Sequence, residues 1–270
     1  MKDDERQQNE LRRIIVDIAK ECGDIMRSAH EITIRTDTKS GFRDLVTEYD
    51  RKIQAYAVKR LSQIYPSAGF ICEEGDTDTT EPEGLTFIID PIDGTANFTH
   101  HYGHSCISIC CAENGVPMVG VVYDPFKDEL FTAERGEGAY LNGEQIHISD
   151  AALDGSLVLF GTAPYNLKLA DETLARVRSI YGKCQDVRRT GSAALDLCYV
   201  AAGRAGLYFE LELSIWDYAA GALIAEEAGA SVFTIDGEKL QFIRPDKSSV
   251  IAGSIKCIKE SNLIVNFRAN

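Results

Sequence analysis

Between Ser105 and Thr132 the chain reads as closely spaced strands. SCISICCA and VPMVGVVYD are joined by Glu113-Asn114-Gly115, a tight-turn signal, and ELFTA follows at once. Runs so close together pair antiparallel, because parallel neighbours need a long crossover. The glycine-rich GEGAYLNG reads as a tight connection. Beyond it helix and strand alternate: SLVLF, a helix near 168–181, a strand near 184–189, a helix over 192–202, strand GLYFEL, a helix over 216–229 and strand ASVFTI. That alternation requires a layered α/β second half with helices on both faces of a sheet.

The first hundred residues are mixed. Leu11, Ile14, Ile15, Ile18, Cys22, Ile25 and Met26 give residues 5–29 the spacing of an amphipathic helix. A short strand, EITIR, and a polar loop, TDTKSGFRD, come next. Thr47 and Asp50 have capping-box spacing before a second helix, which stops near Tyr65 at Pro66. GFIC and LTFIID are apolar runs that each end in acid. Repeats, linkers and low-complexity tracts are absent from the pattern. We expect an α+β lobe over 1–145, with an antiparallel sheet carrying the acidic motifs, and an α/β lobe over 146–270, packed as a single unit. At 270 residues and 44% hydrophobic the chain can bury a large core.

Charge and cysteine narrow the function. A formal net charge of −14 argues against nucleic acid, whose phosphates need Lys and Arg. The eight cysteines form no CxxC pair and sit mostly in apolar patterns, as reduced core residues do. The chain opens MKDDERQQNE, without an apolar leader, and its longest apolar runs are too short to span a bilayer. A soluble cytoplasmic protein is expected, with no membrane contact.

Several places can carry chemistry. FIIDPIDGTANF, Phe87 to Phe98, is a buried-strand pattern broken by Asp90, Pro91, Ile92, Asp93, Gly94 and Thr95. Pro91 should end the ladder, so Asp90 would leave the sheet at its carboxyl end. Gly94 permits close backbone approach, and Thr95 can open a short helix whose N–H groups suit an anion. Asp90, Asp93 and the Ile92 carbonyl then offer oxygens to a hard cation, although an Asp/Gly turn needs no metal. Glu73 and Glu74 end the preceding strand, where adjacent acids are ordinarily solvated unless neighbouring strand ends converge. Ser214 and Asp217 again have capping-box spacing, which suffices to explain Asp217. In HHYGH, His100 and His104 have helical i, i+4 spacing, but the aromatic and Gly neighbours of His100, His101 and His104 favour a loop over a zinc site. A Walker A loop and a GxSxG elbow are missing. DPIDGT also fails the D-x-D-x-T pattern of phosphatases that form an aspartyl-phosphate.

Taken together these stretches resemble the inositol monophosphatase family of magnesium-dependent, lithium-sensitive phosphatases. DPIDGTANF matches its D-P-[IL]-D-G-T-x-N-[FY] motif, and WDYAAGALIAEEAG its second signature around Asp217. DLVTEYD (Asp44 to Asp50) is similar to D-[LP]-V-T-x-x-D, FICEEG to F-[IL]-x-E-E, and GSAALDLCYVAAGRAGLYFE to G-[ST]-A-A-x-x-x-x-x-V-A-x-G. The five motifs stand in the family's order over most of the chain.

The resemblance implies a five-layer αβαβα sandwich, usually a homodimer. It implies metal ligands Glu73, Asp90, Asp93, Asp217 and the Ile92 carbonyl, with two or three Mg²⁺ per site. Thr95, Glu73 and Asp50 would position and activate the attacking water. The backbone of Gly94 and Thr95 would cradle phosphate, and Asp93, Gly191, Ser192, Ala193, Glu210 and Asp217 would line the substrate, with Ala193 and Glu210 toward its alcohol part. Four carboxylates carry −4, which two Mg²⁺ cancel and a third turns to +2. At ~4 Å in a partly desolvated pocket a unit-charge contact is worth about 4 kcal/mol, against about 1 in water. The metals therefore outweigh the remote surface charge, which salt screens beyond about 8–10 Å. The expected activity is hydrolysis of a small phosphate monoester, foremost myo-inositol 1-phosphate, by direct attack of water. Alternatives on the same scaffold are fructose-1,6-bisphosphatase, NADP phosphatase and phosphoadenosine phosphate phosphatase; a different class is a non-catalytic metal- or partner-binding homologue. Gly103, His104, Ile215 and GTAPYNLK depart from common family patterns and bear on substrate.

Overall fold

The computed structural model describes residues 2–29, 36–38, 45–75, 84–242 and 247–264; EITIR and most of the TDTKSGFRD loop lie outside them. Helices α1 (Lys2–Ala29) and α2 (Glu48–Ile64) flank an antiparallel ribbon of β1 (Thr36–Thr38) and β2 (Leu45–Thr47). Leu11, Ile15, Ile18, Cys22 and Met26 on α1, and Ile53, Ala57 and Leu61 on α2, recur at helical spacing and are buried. Thr47 caps α2: its Oγ1 accepts from the Tyr49 and Asp50 N–H groups, while the Asp50 carboxylate accepts the Thr47 N–H at 2.7 Å.

The larger sheet runs in sequence order: β3 (Gly69–Cys72), β4 (Leu85–Asp93), then, after the short helix α3 (Thr95–Thr99), β5 (Cys106–Glu113), β6 (Val116–Asp124), β7 (Glu129–Glu134), β8 (Gly138–Leu141) and β9 (Glu144–Ile146). Only β3 and β4 pair in parallel; the rest form an antiparallel meander. Asn114 and Gly115 turn β5 into β6 with φ of 50° and 75°, the two positive values of a type I′ hairpin. GEGAYLNG is more than a connection. It holds β8 and the turn into β9, with the buried Ala139 the one small inward residue between glycines.

β4 departs from its expected end. Pro91 does not stop the strand at Asp90; it sits in a bulge, where Asp90 pairs with Ser108 and Asp93 with Cys106. One residue too many on β4 is absorbed there, and a proline, with no N–H to offer a ladder, fits the unpaired place.

The second sheet orders β11 (Asp186–Arg188), β10 (Leu157–Phe160), β12 (Leu207–Leu213), β14 (Ser248–Gly253) and β13 (Ser231–Phe233). β10 pairs in parallel with both neighbours, and β14 runs antiparallel to both of its own. Its helices are α4 (Ala170–Tyr181), α5 (Ala193–Ala201), α6 (Ile215–Glu227) and α7 (Ile255–Ser261). Strand β14 and helix α7 lie in a stretch for which the sequence pattern gave no element.

Three apolar clusters define the layers. Phe87, Ile89, Ile107 and Ile109 face α1 and α2, while Ile88, Cys110 and Val122 point the other way onto α5 and α6. Tyr208, Val250 and Ala252 cover α5 and α6 from the second sheet, whose outer face packs Val158, Phe209 and Ile251 on α4 and α7. The result is an αβαβα sandwich. Each fully buried Ile or Leu contributes about 1.5–3 kcal/mol, so the three clusters dominate the stability. Helix α6 is buried almost all round because sheets cover it on two sides. Gly120 permits the approach: a Cβ there would lie 2.8 Å from the Ala220 carbonyl oxygen of α6. No helix among the described residues is long and apolar enough to cross a membrane. All eight cysteines are free, and all but Cys184 are buried.

Candidate active site

The parallel pairing of β3 and β4 decides where the first acids go. Cys72 lies beside Ile89, and the Glu73 N–H continues the ladder to the Ile89 carbonyl at 3.2 Å, so Glu73 emerges next to Asp90. The bulge decides the second pair. Residues three apart on a regular strand face opposite ways. With one residue absorbed, Asp90 and Asp93 both turn toward α5 and α6. Asp93 Oδ2 accepts from the Ser192 hydroxyl at 2.6 Å and the Ala194 N–H at 2.7 Å, at the start of α5. Asp217, in the first turn of α6, accepts the Ser214 N–H at 2.7 Å. It caps its helix and also joins the cluster.

Electrostatics show how tightly the four are gathered. Asp90, 2% exposed, has its carboxyl pushed well up, by burial first and then by the charges of Glu73, Asp93 and Asp217. Burial also raises Asp217 well above the usual range, with Asp93 and Glu73 adding to it. Asp93 is raised by burial against the hydrogen bonds that favour its charge. Buried carboxylates pressed together resist ionising unless a cation joins them. The donor set is all oxygen, the set a hard divalent ion takes. The residues therefore fit Mg²⁺.

Thr95 stands beside this cluster. Its hydroxyl lies 3.3 Å from Asp50 Oδ1 and 3.0 Å from the Ile92 carbonyl. One O–H proton can serve only one of them, so an Ile92 carbonyl engaged elsewhere leaves Thr95 to Asp50. Asp50 is fully buried and holds Thr47 on its other oxygen; burial, outweighing those hydrogen bonds, raises its carboxyl to about 6. Carboxylate oxygens of Asp50, Glu73 and Glu74 lie within 4.8 Å of one another. The convergence of the β3 and β4 ends, the condition under which Glu73 and Glu74 would not be ordinary solvated acids, is met, and Glu74 joins this group as well.

A cleft of about 620 Å³ opens over Glu73, Asp90, Asp93, Thr95 and Asp217. The N-terminal ends of α3, α5 and α6 line it through Gly94 and Thr95, Ser192 and Ala193, and Ser214 and Asp217. Three helix starts add positive potential to a site rich in acids. Gly94 has φ 88°, a backbone state that side chains rarely adopt, and a Cβ there would press on the Gly191 and His104 carbonyls at 3.1 Å. Glu210, also lining the cleft, accepts from the Ala163 N–H at 2.7 Å and the Tyr208 hydroxyl at 2.9 Å. Gly161 leaves room for it, since a Cβ there would meet Glu210 Oε2 at 1.7 Å.

The histidines do not converge. His100 follows α3 and lines the cleft, His101 has φ 54°, and His104 is buried beside Tyr199 with Nδ1 3.1 Å from Lys127 Nζ. Four residues escaped sequence reasoning. Asn97 Nδ2 donates to the His104 and Thr190 carbonyls, stapling the α3 turn to the entry of α5. Asp196 holds Thr190, Gln54 grips the Glu74 backbone, and Arg189 lines the cleft. Of these only Asn97 had a signal, as the asparagine of DPIDGTANF.

The model of the inositol monophosphatase family matches residues 7–265. The chain belongs to that family. It is 37% identical over 259 residues to the Nus factor SuhB of Escherichia coli (strain K12), with 94% of each chain covered. Its fold matches the extragenic suppressor protein SuhB from Bartonella henselae with a TM-score of 0.87 at 33% identity, covering 95% of this chain and 99% of that one. It also matches an IMPase/NADP phosphatase complexed with Mg²⁺ and phosphate, with a TM-score of 0.85 at 26% identity over 98% of both chains. Family membership thus accounts for the αβαβα layering and for the order of the acidic motifs.

Proposed function

We propose that the chain is a Mg²⁺-dependent phosphomonoesterase for a small phosphorylated polyol, with myo-inositol 1-phosphate as the first substrate to try. The observation that carries this reading is the meeting of Glu73, Asp90, Asp93 and Asp217 beside a Thr95–Asp50 pair. Those carboxylates and the Ile92 carbonyl would hold the ions. Bound Mg²⁺ supplies positive charge that neutralises the acids and the phosphate and lowers the pKa of water. The chain's own groups do the rest. Thr95 donates to ionised Asp50 and turns its lone pairs toward the attacking water, while Glu73 draws a proton from that water. The N–H groups at Gly94 and Thr95 face the phosphate oxygens. Glu210 and Ala193 take the alcohol side. Water attacks phosphorus in line with the departing alkoxide, with no covalent intermediate. A homodimer in the cytoplasm fits this reading.

A second reading is favoured by the relatives named Nus factor, a name that describes a factor and not a hydrolase. Release of inorganic phosphate from inositol phosphates, fructose bisphosphate, NADP and phosphoadenosine phosphate, with Mg²⁺ present, separates the two. Turnover of any supports the enzyme and names its substrate; silence on all four favours a binding role.

A further inference from the structure

Arg189 is exposed on the rim of the cleft, in the turn between β11 and α5. Its guanidinium lies over Gly191, where a Cβ would come 2.4 Å from Nη1. Its charge is felt by Asp93, Asp196 and Glu210, three acids that also line the cleft. Even so, it forms no ion pair among the described residues; its one hydrogen bond is long, Nη2 to the Thr162 hydroxyl at 3.4 Å. Neighbouring cations differ. Arg188 pairs with Asp186, and Lys247 pairs at 2.8 Å with Glu212, itself held by Asn166.

A guanidinium has five N–H donors in a fixed fork and no acceptor. Most of those of Arg189 are unused beside a cleft. Glu210 offers the complementary chemistry. Both its oxygens accept, from Ala163 and Tyr208, which fixes it as an acceptor with lone pairs to spare. A second phosphate would be repelled by that carboxylate, whereas a hydroxyl group can donate to a carboxylate and accept from a guanidinium, and both groups line this cleft.

We infer that Arg189 is a specificity-determining residue that donates to hydroxyl oxygens in the alcohol part of the substrate, while Glu210 accepts from a neighbouring hydroxyl. The pair selects phosphate esters of vicinal polyols over esters of alcohols that carry no hydroxyl. This rests on the phosphomonoesterase reading above and deepens it.

Steady-state kinetics of the full-length wild type, Arg189→Ala and Arg189→Lys with saturating Mg²⁺ test it, on inositol 1-phosphate, p-nitrophenyl phosphate and fructose 1,6-bisphosphate. In Arg189→Ala the ratio of kcat/KM for the inositol ester to that for the aryl ester should fall roughly 10- to 100-fold, as for a lost charge-assisted hydrogen bond, and chiefly through KM. Arg189→Lys, which keeps the charge and loses the fork, should fall between. Equal loss on the aryl ester would make Arg189 a structural strut and overturn the assignment. So would no change in the ratio, or a loss confined to the bisphosphate, which would make Arg189 an anion reader. A wild type silent on all three esters removes the phosphatase reading itself, an outcome distinct from an active wild type whose Arg189→Ala variant keeps its preference.

Discussion

At the scale of single residues, Thr95 and His104 have opposite characters. Helix α3 takes Gly94 as its N-cap with no side-chain bond, so the Thr95 hydroxyl is not spent on capping. Thr95→Ala should slow the chemical step by roughly 10²–10⁴-fold with little change in thermal midpoint. Single-turnover rates beside melting curves check this; a normal rate with a lowered midpoint would assign the hydroxyl to the fold. Asp50→Asn should cost a similar factor, and the double variant little more, because the two act as one unit. His104 concerns stability. Only 8% exposed, it is pushed down to about 4 from an ordinary 6.5, by burial first and Lys127 second, with Glu129 opposing. The neutral ring stabilises fully above 6.5. As pH falls from 6.5 to 4 the unfolded chain takes up a proton that the folded chain refuses, so stability drops by up to roughly 3 kcal/mol. Urea midpoints at pH 7 and 4.5 should therefore differ less in His104→Phe than in wild type. The buried acids titrate in both proteins, so the difference isolates the ring. An identical pH response would show that the folded ring takes up its proton as readily as the unfolded one, and would overturn the lowered value.

At the scale of elements, α2 does two jobs one turn apart. Asp50 reaches Thr95, and Gln54 holds the end of β3 by both of its amide atoms: Oε1 accepts the Glu74 N–H at 2.8 Å and Nε2 donates to the Glu74 carbonyl. Glu73 is thereby aimed from its neighbour's backbone. Gln54→Ala should raise the Mg²⁺ concentration for half-activation several-fold while sparing the thermal midpoint of the metal-free protein. If instead both move in proportion, the tether only supports the fold. Asp50 was legible in the sequence, because the capping box announces the start of α2; Gln54 was not, because a helical glutamine has no pattern until the strand it meets is in place. The same contrast holds for strands. VPMVGVVYD is β6 residue for residue, since long apolar runs between turn residues leave little choice. β8 was hidden because glycines bracket its few side chains, and β14 because SSVIAG is short and holds only a Val-Ile-Ala apolar run. Pro91 misled for a physical reason: a missing N–H ends a regular ladder but costs nothing at a bulge. Convergence of Asp217 with Asp93 was beyond any spacing argument, as it depends on α6 lying between two sheets.

At the scale of the whole molecule, that wedge joins both sheets to one acid cluster, so cations should stabilise everything around it. Mg²⁺ at about a hundred times its Kd adds about 2.7 kcal/mol per site, and for a chain this long each kcal/mol is worth about 2–4 °C. Melting curves in Mg²⁺ and in EDTA should differ by roughly 5–10 °C per tightly held ion. An equal rise with NaCl at matched ionic strength would assign the effect to screening. The placement of Asp217 has a further consequence in time. Synthesis proceeds from the N-terminus, so Asp50, Glu73, Asp90 and Asp93 emerge while α6 is still unmade. A nascent seven-stranded sheet displays three of the four gathered carboxylates with their α5–α6 side bare, and it lacks the Ser192 and Ala194 groups that hold Asp93. If the site holds Mg²⁺ as proposed, firm retention of the ion would begin only when the later half has docked. It would serve as a certificate of completed manufacture, issued once per chain.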